Sequence, residues 1–174
     1  MNKIELIKYL HSAYPELTIN IDYVEGYSKD EMAKLERLYD IEIQGQLLDF
    51  LTHIGRCSGG LFGSAPLTFY QEQTTVRDEI LFQFGSRESL MIIQQYDLVK
   101  QKPFFISVEN DTQFYFLLTT SDNPDSVYRF DENEDLVINT GLTLNEYLRY
   151  VVDFSTRNYE IKIPFDQSGD LLSI

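Results

Sequence analysis

From Pro103 onward the chain reads FFISV, ENDT, QFYFLLT, then SVYRF and, after an acidic turn, DLVIN. Runs of β-branched and aromatic residues separated by turns rich in Asn and Asp are the pattern of consecutive antiparallel hairpins. Such side chains pack on a pleated surface, and Asn and Asp tolerate the tight backbone between strands. No other stretch limits the fold as strongly. FYFLL, at 114–118, is apolar on both strand faces, which predicts a central strand covered on one side by helices.

The helices read from periodicity and caps. Lys3 to Ala13 sets Ile4, Leu6, Ile7, Leu10 and then Tyr14 at near-helical spacing, with Asn2 as a cap and Pro15 as a stop. Ser28-Lys29-Asp30-Glu31 matches a capping box, and Met32, Leu35, Leu38 and Tyr39 follow on one stripe. Gln46 to Ile54 carries Leu47, Leu48, Phe50, Leu51 and Ile54, and Gly55 sits where a left-handed C-terminal cap is wanted. The loop IGRCSGGLFG, 54–63, is then expected to end this helix and feed the sheet, with Leu67 to Tyr70 as a short strand. Thr75 to Lys100 reads as two helices broken near Gly85-Ser86, although LMII at 90–93 also suits a strand. Thr143-Leu144-Asn145-Glu146 is a second capping box, launching a helix with Leu144, Tyr147, Leu148, Val151 and Val152 on one side. The tail from Ile161 to Ile174, with Pro164 and Gly169, is an extra strand or a loose end.

A chain of 174 residues fits one domain, and 43% hydrophobic residues with twelve Tyr and twelve Phe supply its core. No apolar run approaches the roughly 20 residues of a bilayer span, and the interleaved charges of MNKIELIKYLHSAY do not make a signal-peptide core. A cytoplasmic protein with no membrane partner is expected. Cys57 is the lone cysteine, so no intramolecular disulfide and no multi-cysteine metal site can form. The formal charge of -14 opposes direct contact with nucleic acid. Half of it lies between Glu109 and Asp135, where eight acidic residues face one basic residue, Arg129.

Motifs for chemistry fail at their discriminating positions. Gly55 and Gly60 have the separation of a phosphate loop, but Leu61 and Phe62 stand where Lys and Ser or Thr must be. Cys57 has His53 four residues before it and no evident third group to orient a nucleophile pair. In DENEDLVINTGL, Asp131, Asn133 and Asp135 suit the first three ligand positions of a calcium loop, yet Leu136 and Leu142 replace its Gly and bidentate Glu. Two histidines and one cysteine make a zinc site improbable. The acidic stretch has two readings, a solvated hairpin turn and a contact surface for a basic partner.

LERLYDIEIQGQLLDFLTHIGRCSGG resembles the opening signature of the SUKH superfamily, the Smi/Knr-like and Syd-like proteins: a helix with a Leu-Glu pair, a short turn, a helix ending in Phe-Leu, then a glycine-rich turn. FFISVENDTQFYFLLT, and NPDSVYRFDENEDLVINTGLTLNEYLRYVV with Pro124, Val127, Tyr128 and the pair Tyr147-Leu148, is similar to the family's later half. Ile43-Gln44 stands where family members commonly have Leu-Pro. The resemblance spans 28–152, with 70–102 outside the match, in a single domain of 1–174, leaving 1–27 as an N-terminal helix and connection and 161–174 as a tail. It implies an α+β fold, a mostly antiparallel sheet wrapped by helices, with no catalytic residues, cofactor or metal. It further implies an immunity protein that neutralises a cognate bacterial toxin, a basic nuclease being one candidate, or alternatively a regulatory or scaffold domain for an endogenous protein. The expected contact surface is the acidic hairpin edge of Asp122, Asp125, Asp131, Glu132, Glu134 and Asp135, with Tyr128 as an aromatic anchor.

Overall fold

Four strands form the meander that the hairpin pattern predicts. β1 (Pro103–Glu109), β2 (Gln113–Leu118), β3 (Ser126–Asp131) and β4 (Leu136–Thr143) pair antiparallel in that spatial order. The turns β1–β2 and β3–β4 therefore share one end of the sheet, and the β2–β3 turn lies at the other. The computed structural model describes residues 1–62, 67–70, 75–156 and 164–172, which form a single α+β domain with six α-helices.

Helices cover β2 on both faces, where the apolar run predicted cover on one. Tyr115 and Leu117 join Phe104, Ile106 and Val127 in the main core beneath α1 (Lys3–His11), α3 (Gly45–His53) and α6 (Leu144–Val151). Phe116 and Leu118 turn the other way, with Phe105 and Phe130, against Leu90 and Phe82 of α4 (Val76–Ile92) and Leu98 and Val99 of α5 (Tyr96–Val99). Strand alternation sends successive aromatic rings to opposite cores, so an all-apolar strand must be covered twice.

Caps place the helix starts. Asn2 with Glu5, Ser28 with Glu31 at the start of α2 (Lys29–Tyr39), and Thr143 with Glu146 all close capping boxes, as does Thr75 with Asp78. Apolar spacing was less exact: Ile4 and Leu48 lie exposed on α1 and α3. Gly55 is not a left-handed cap. α3 ends at Ile54 with φ -139°, and a Cβ on Gly55 would lie 2.8 Å from the Leu51 Cα, so the glycine permits close packing.

The glycine loop does not feed the sheet. Cys57 instead bridges Glu25 on one side and Ser168 on the other, stitching the N-terminal connection to the tail, while Gly63 lies outside the described residues. Leu67 makes a single bridge to Ser107, and Thr68–Tyr70 is a 3-10 turn and not a strand. Of the tail, 161–163 and 173–174 lie outside the described residues; the Leu171 carbonyl accepts from the Tyr39 hydroxyl at 2.9 Å, and its N–H donates to the Tyr27 hydroxyl at 3.1 Å.

α4 departs most from the pattern. It runs seventeen residues through Gly85, which the periodicity marked as a break, and yields only at Ile93–Gln95, where Gln94 has φ 63°. An exposed glycine costs a helix about 1 kcal/mol relative to alanine, too little to break one packed on a sheet. The misreading arose because α4 buries Glu79, Gln83 and Ser86 and turns Leu81 and Phe84 outward.

Those buried polar residues close the outer edge of β1. Gln83 Nε2 donates to the Phe105 carbonyl at 2.7 Å while its Oε1 accepts from the Phe105 N–H at 2.9 Å, as a neighbouring strand would. Arg87 Nε donates to the Pro103 carbonyl at 3.0 Å. Gln83 Nε2 also donates to Glu79 at 2.8 Å, and burial pushes the Glu79 carboxyl up to about 7, against the hydrogen bonds from Gln83 and Thr68.

A raised carboxyl pKa makes the folded state hold its proton where the unfolded chain has released it. The stability contribution is complete below pH about 4.5, falls as pH rises toward about 7, and is flat above, a loss of about 3 kcal/mol. Glu79→Gln is expected to remove this decline and to unfold at higher denaturant than the parent at pH 8. Parallel denaturant titrations from pH 5 to 8 check it; identical pH dependence in the two proteins contradicts it.

Candidate binding surface

The seven residues expected to meet a partner fall in three places. Asp122 is exposed in the β2–β3 turn. Asp125, at the same end, accepts from the Gln46 N–H at 2.8 Å through Oδ1, and its carbonyl accepts from Leu144 N–H, so it anchors the starts of α3 and α6. Tyr128 is half-buried and stacks on Phe116 at 5.6 Å, on the face covered by α4. Asp131, Glu132, Glu134 and Asp135 occupy the β3–β4 turn, six residues of strand or about 20 Å from Asp125.

At that far end the β1–β2 turn adds Glu109 and Asp111. The Glu132 N–H donates to the Thr112 carbonyl at 2.9 Å, and Gln113 Nε2 donates to Asp131 Oδ2 at 3.3 Å, so the two turns are joined. Six carboxylates thus share one end of the sheet. They divide by task. Asp131 is buried, and its Oδ1 accepts from the Asn133 N–H at 3.0 Å, which shapes the turn instead of presenting a ligand. Glu109 accepts from the Tyr115 hydroxyl at 3.3 Å and the Tyr147 hydroxyl at 3.2 Å. Asp111, Glu132, Glu134 and Asp135 are exposed, and among the described residues none of them forms an ion pair.

Behind the carboxylates stands an aromatic wall. Tyr115 and Tyr147 stack at 4.8 Å, Tyr147 meets Tyr150 at 6.2 Å, and Tyr150 stacks on the exposed Phe154 at 5.5 Å. Tyr147 also shares a 2.7 Å hydrogen bond with Ser107. Burial, then the nearby Glu109 charge, pushes the Tyr115 phenol up to about 12, and the same two causes raise Tyr147. Both phenols stay protonated and donate to Glu109, so the wall is a fixed support.

β4 forms the adjoining free edge. It carries no charged residue and no proline over eight positions, the devices that commonly blunt an edge, and no described segment pairs with its outer side. A bulge guards its second half: Asn139 Oδ1 accepts from the Gly141 N–H at 2.8 Å, and Thr140 Oγ1 donates to the Val127 carbonyl at 2.7 Å. The open stretch is Leu136 to Asn139, directly after the acidic turn.

Cys57 and both histidines are engaged elsewhere. Cys57 is buried, its Sγ donates to the Phe165 carbonyl at 3.3 Å, and burial pushes the thiol up, away from the thiolate a nucleophile needs. His53 Nε2 lies 3.1 Å from the Met1 carbonyl, and His11 Nε2 lies 2.8 Å from the Leu17 carbonyl. Among the described residues, no group of three or more His, Cys, Asp or Glu is placed to hold a metal, and no helix is long and apolar enough to cross a membrane.

Sequence reasoning missed Glu109 and Asp111 as members of the surface, although the signal was present. In a meander of consecutive hairpins the first and third turns share an end. Comparison with protein-family models, curated proteins and solved structures finds no match to this chain.

Proposed function

We propose that the chain is a non-catalytic protein-binding domain of the immunity type, which captures a basic protein toxin at the hairpin end of its sheet. The observation that carries this reading is the set of unpaired carboxylates Asp111, Glu132, Glu134 and Asp135, gathered on two joined turns beside the open edge of β4. Such a field accelerates encounter with a cationic surface by roughly 10 to 1000-fold at low salt. An extended segment of the toxin can then add to Leu136–Asn139 as a further strand, the main chain giving affinity and the acidic turn setting direction. The likeness to SUKH proteins over 28–152 supports the immunity role, since it implies a binding fold without catalytic residues.

The test is co-expression with the product of the neighbouring reading frame. The expected outcome is a stoichiometric complex that co-purifies and restores growth to cells that the neighbour alone kills. A toxic neighbour that forms no complex and kills equally in the presence of this protein would contradict the proposal.

A further inference from the structure

The acidic end is not the sole unpartnered surface. The outer face of α4 carries Leu81 at 58%, Phe84 at 59% and Ile92 at 79% exposure, continued by Met91 and by Tyr96 of α5. At 100° per residue, Arg77, Leu81, Phe84, Glu88 and Ile92 fall on one stripe with Gly85 beside it. These side chains expose on the order of 500 Å², near the largest apolar patch a typical monomer carries. That approaches the ~800 Å² each partner contributes to a stable interface, and the flanking helix surface supplies the rest.

Charge identifies the occupant. The protein carries -14, yet 75–102 is balanced: Arg77, Arg87, Lys100 and Lys102 against Asp78, Glu79, Glu88 and Asp97. A basic partner is drawn to the acidic end and gains nothing from a neutral face. Two copies of this chain repel through the rest of their surfaces, and α4 is where they meet with least electrostatic cost.

We infer that α4 is the two-fold interface of a homodimer, with the two helices antiparallel and crossing at Phe84–Gly85. A Cβ on Gly85 would meet nothing within 4 Å, so the position is an open hole on the helix surface. The two-fold seats Phe84 of each copy over Gly85 of the other and sets Leu81 level with Glu88 across the interface. Arg77, one helical turn from Leu81, then reaches Glu88 of the second copy, and the ion pair occurs twice because the contact is isologous. The interface lies on the face of the sheet away from the aromatic wall and rests on residues of α4 and α5 alone, so it stands independently of the toxin-binding reading.

Sedimentation equilibrium of the purified chain tests it. At roughly 100 µM, where a micromolar contact is nearly saturated, the chain is expected to be dimeric. Raising salt to about 1 M, which shortens the Debye length to about 3 Å, should tighten the dimer by screening the repulsion between copies. Phe84→Glu, an exposed substitution whose folding is checked by circular dichroism, should raise the dissociation constant about 100-fold. Arg77→Glu and Glu88→Arg should each weaken association about tenfold, and the double variant should recover it by restoring both pairs in reverse. A native chain that stays monomeric, a dimer indifferent to Phe84→Glu, or a double variant no tighter than the single ones overturns the inference.

Discussion

Gln83→Ala is expected to lower stability by about 3–5 kcal/mol, a large share of the 5–15 kcal/mol of an ordinary domain. One amide bonds both the N–H and the carbonyl of Phe105 and also Glu79. Its removal leaves the Phe105 N–H and carbonyl buried without partners, takes from Glu79 one of its two hydrogen bonds and opens a void beneath α4. Each unsatisfied buried group costs about 1–3 kcal/mol, and the groups share one site, so their costs do not add fully. The thermal midpoint should fall by roughly 8–15 °C. Asp97→Ala, at an exposed surface ion pair, should change stability by less than about 0.5 kcal/mol. Equal shifts for the two variants would mean that Gln83 does not close the β1 edge.

Neutralising the β3–β4 turn has the largest expected effect on binding. Glu132→Gln, Glu134→Gln and Asp135→Asn together remove three exposed charges and keep the turn, because Asn tolerates the left-handed backbone that Asp135 holds at φ 50°. Association with the proposed basic partner should slow by about 10 to 100-fold at low salt, and the dependence of rate on ionic strength should flatten. Dissociation should change far less, since exposed charges at the edge of an interface act mainly on encounter. Asp122→Asn, about 20 Å away at the other end of β3, is the control and should leave the rate nearly unchanged. Comparable slowing by both variants would assign the effect to net charge and not to this turn.

What could be read in advance depended on whether local chemistry or long-range packing decides an element. Capping boxes at Ser28 and Thr143 are complete within four residues, and both helices start there. The hairpins were equally local. α4 was misread because its buried side is polar: Gln83, with Glu79 beside it, faces inward to serve a strand edge 22 residues away in sequence. The glycine loop was misassigned for the same reason, since the partners of Cys57 are Glu25 and Ser168, both remote along the chain. At the acidic surface, composition named Glu132, Glu134 and Asp135, but it grouped them with Asp122 and Asp125, which strand direction sends to the opposite end. Asp125 also proved to be a structural anchor, a role fixed by contacts with Gln46 and Leu144 that spacing does not reveal.

In the proposed complex the joined acidic turns and the first half of β4 receive a basic protein, and backbone hydrogen exchange with and without the co-expressed neighbour locates that contact. New protection is expected over 131–139, in the turn and the open edge, with α4 unchanged between the two samples. Protection confined to the β2–β3 turn or to α4, with 131–139 exchanging as in the free protein, would contradict it.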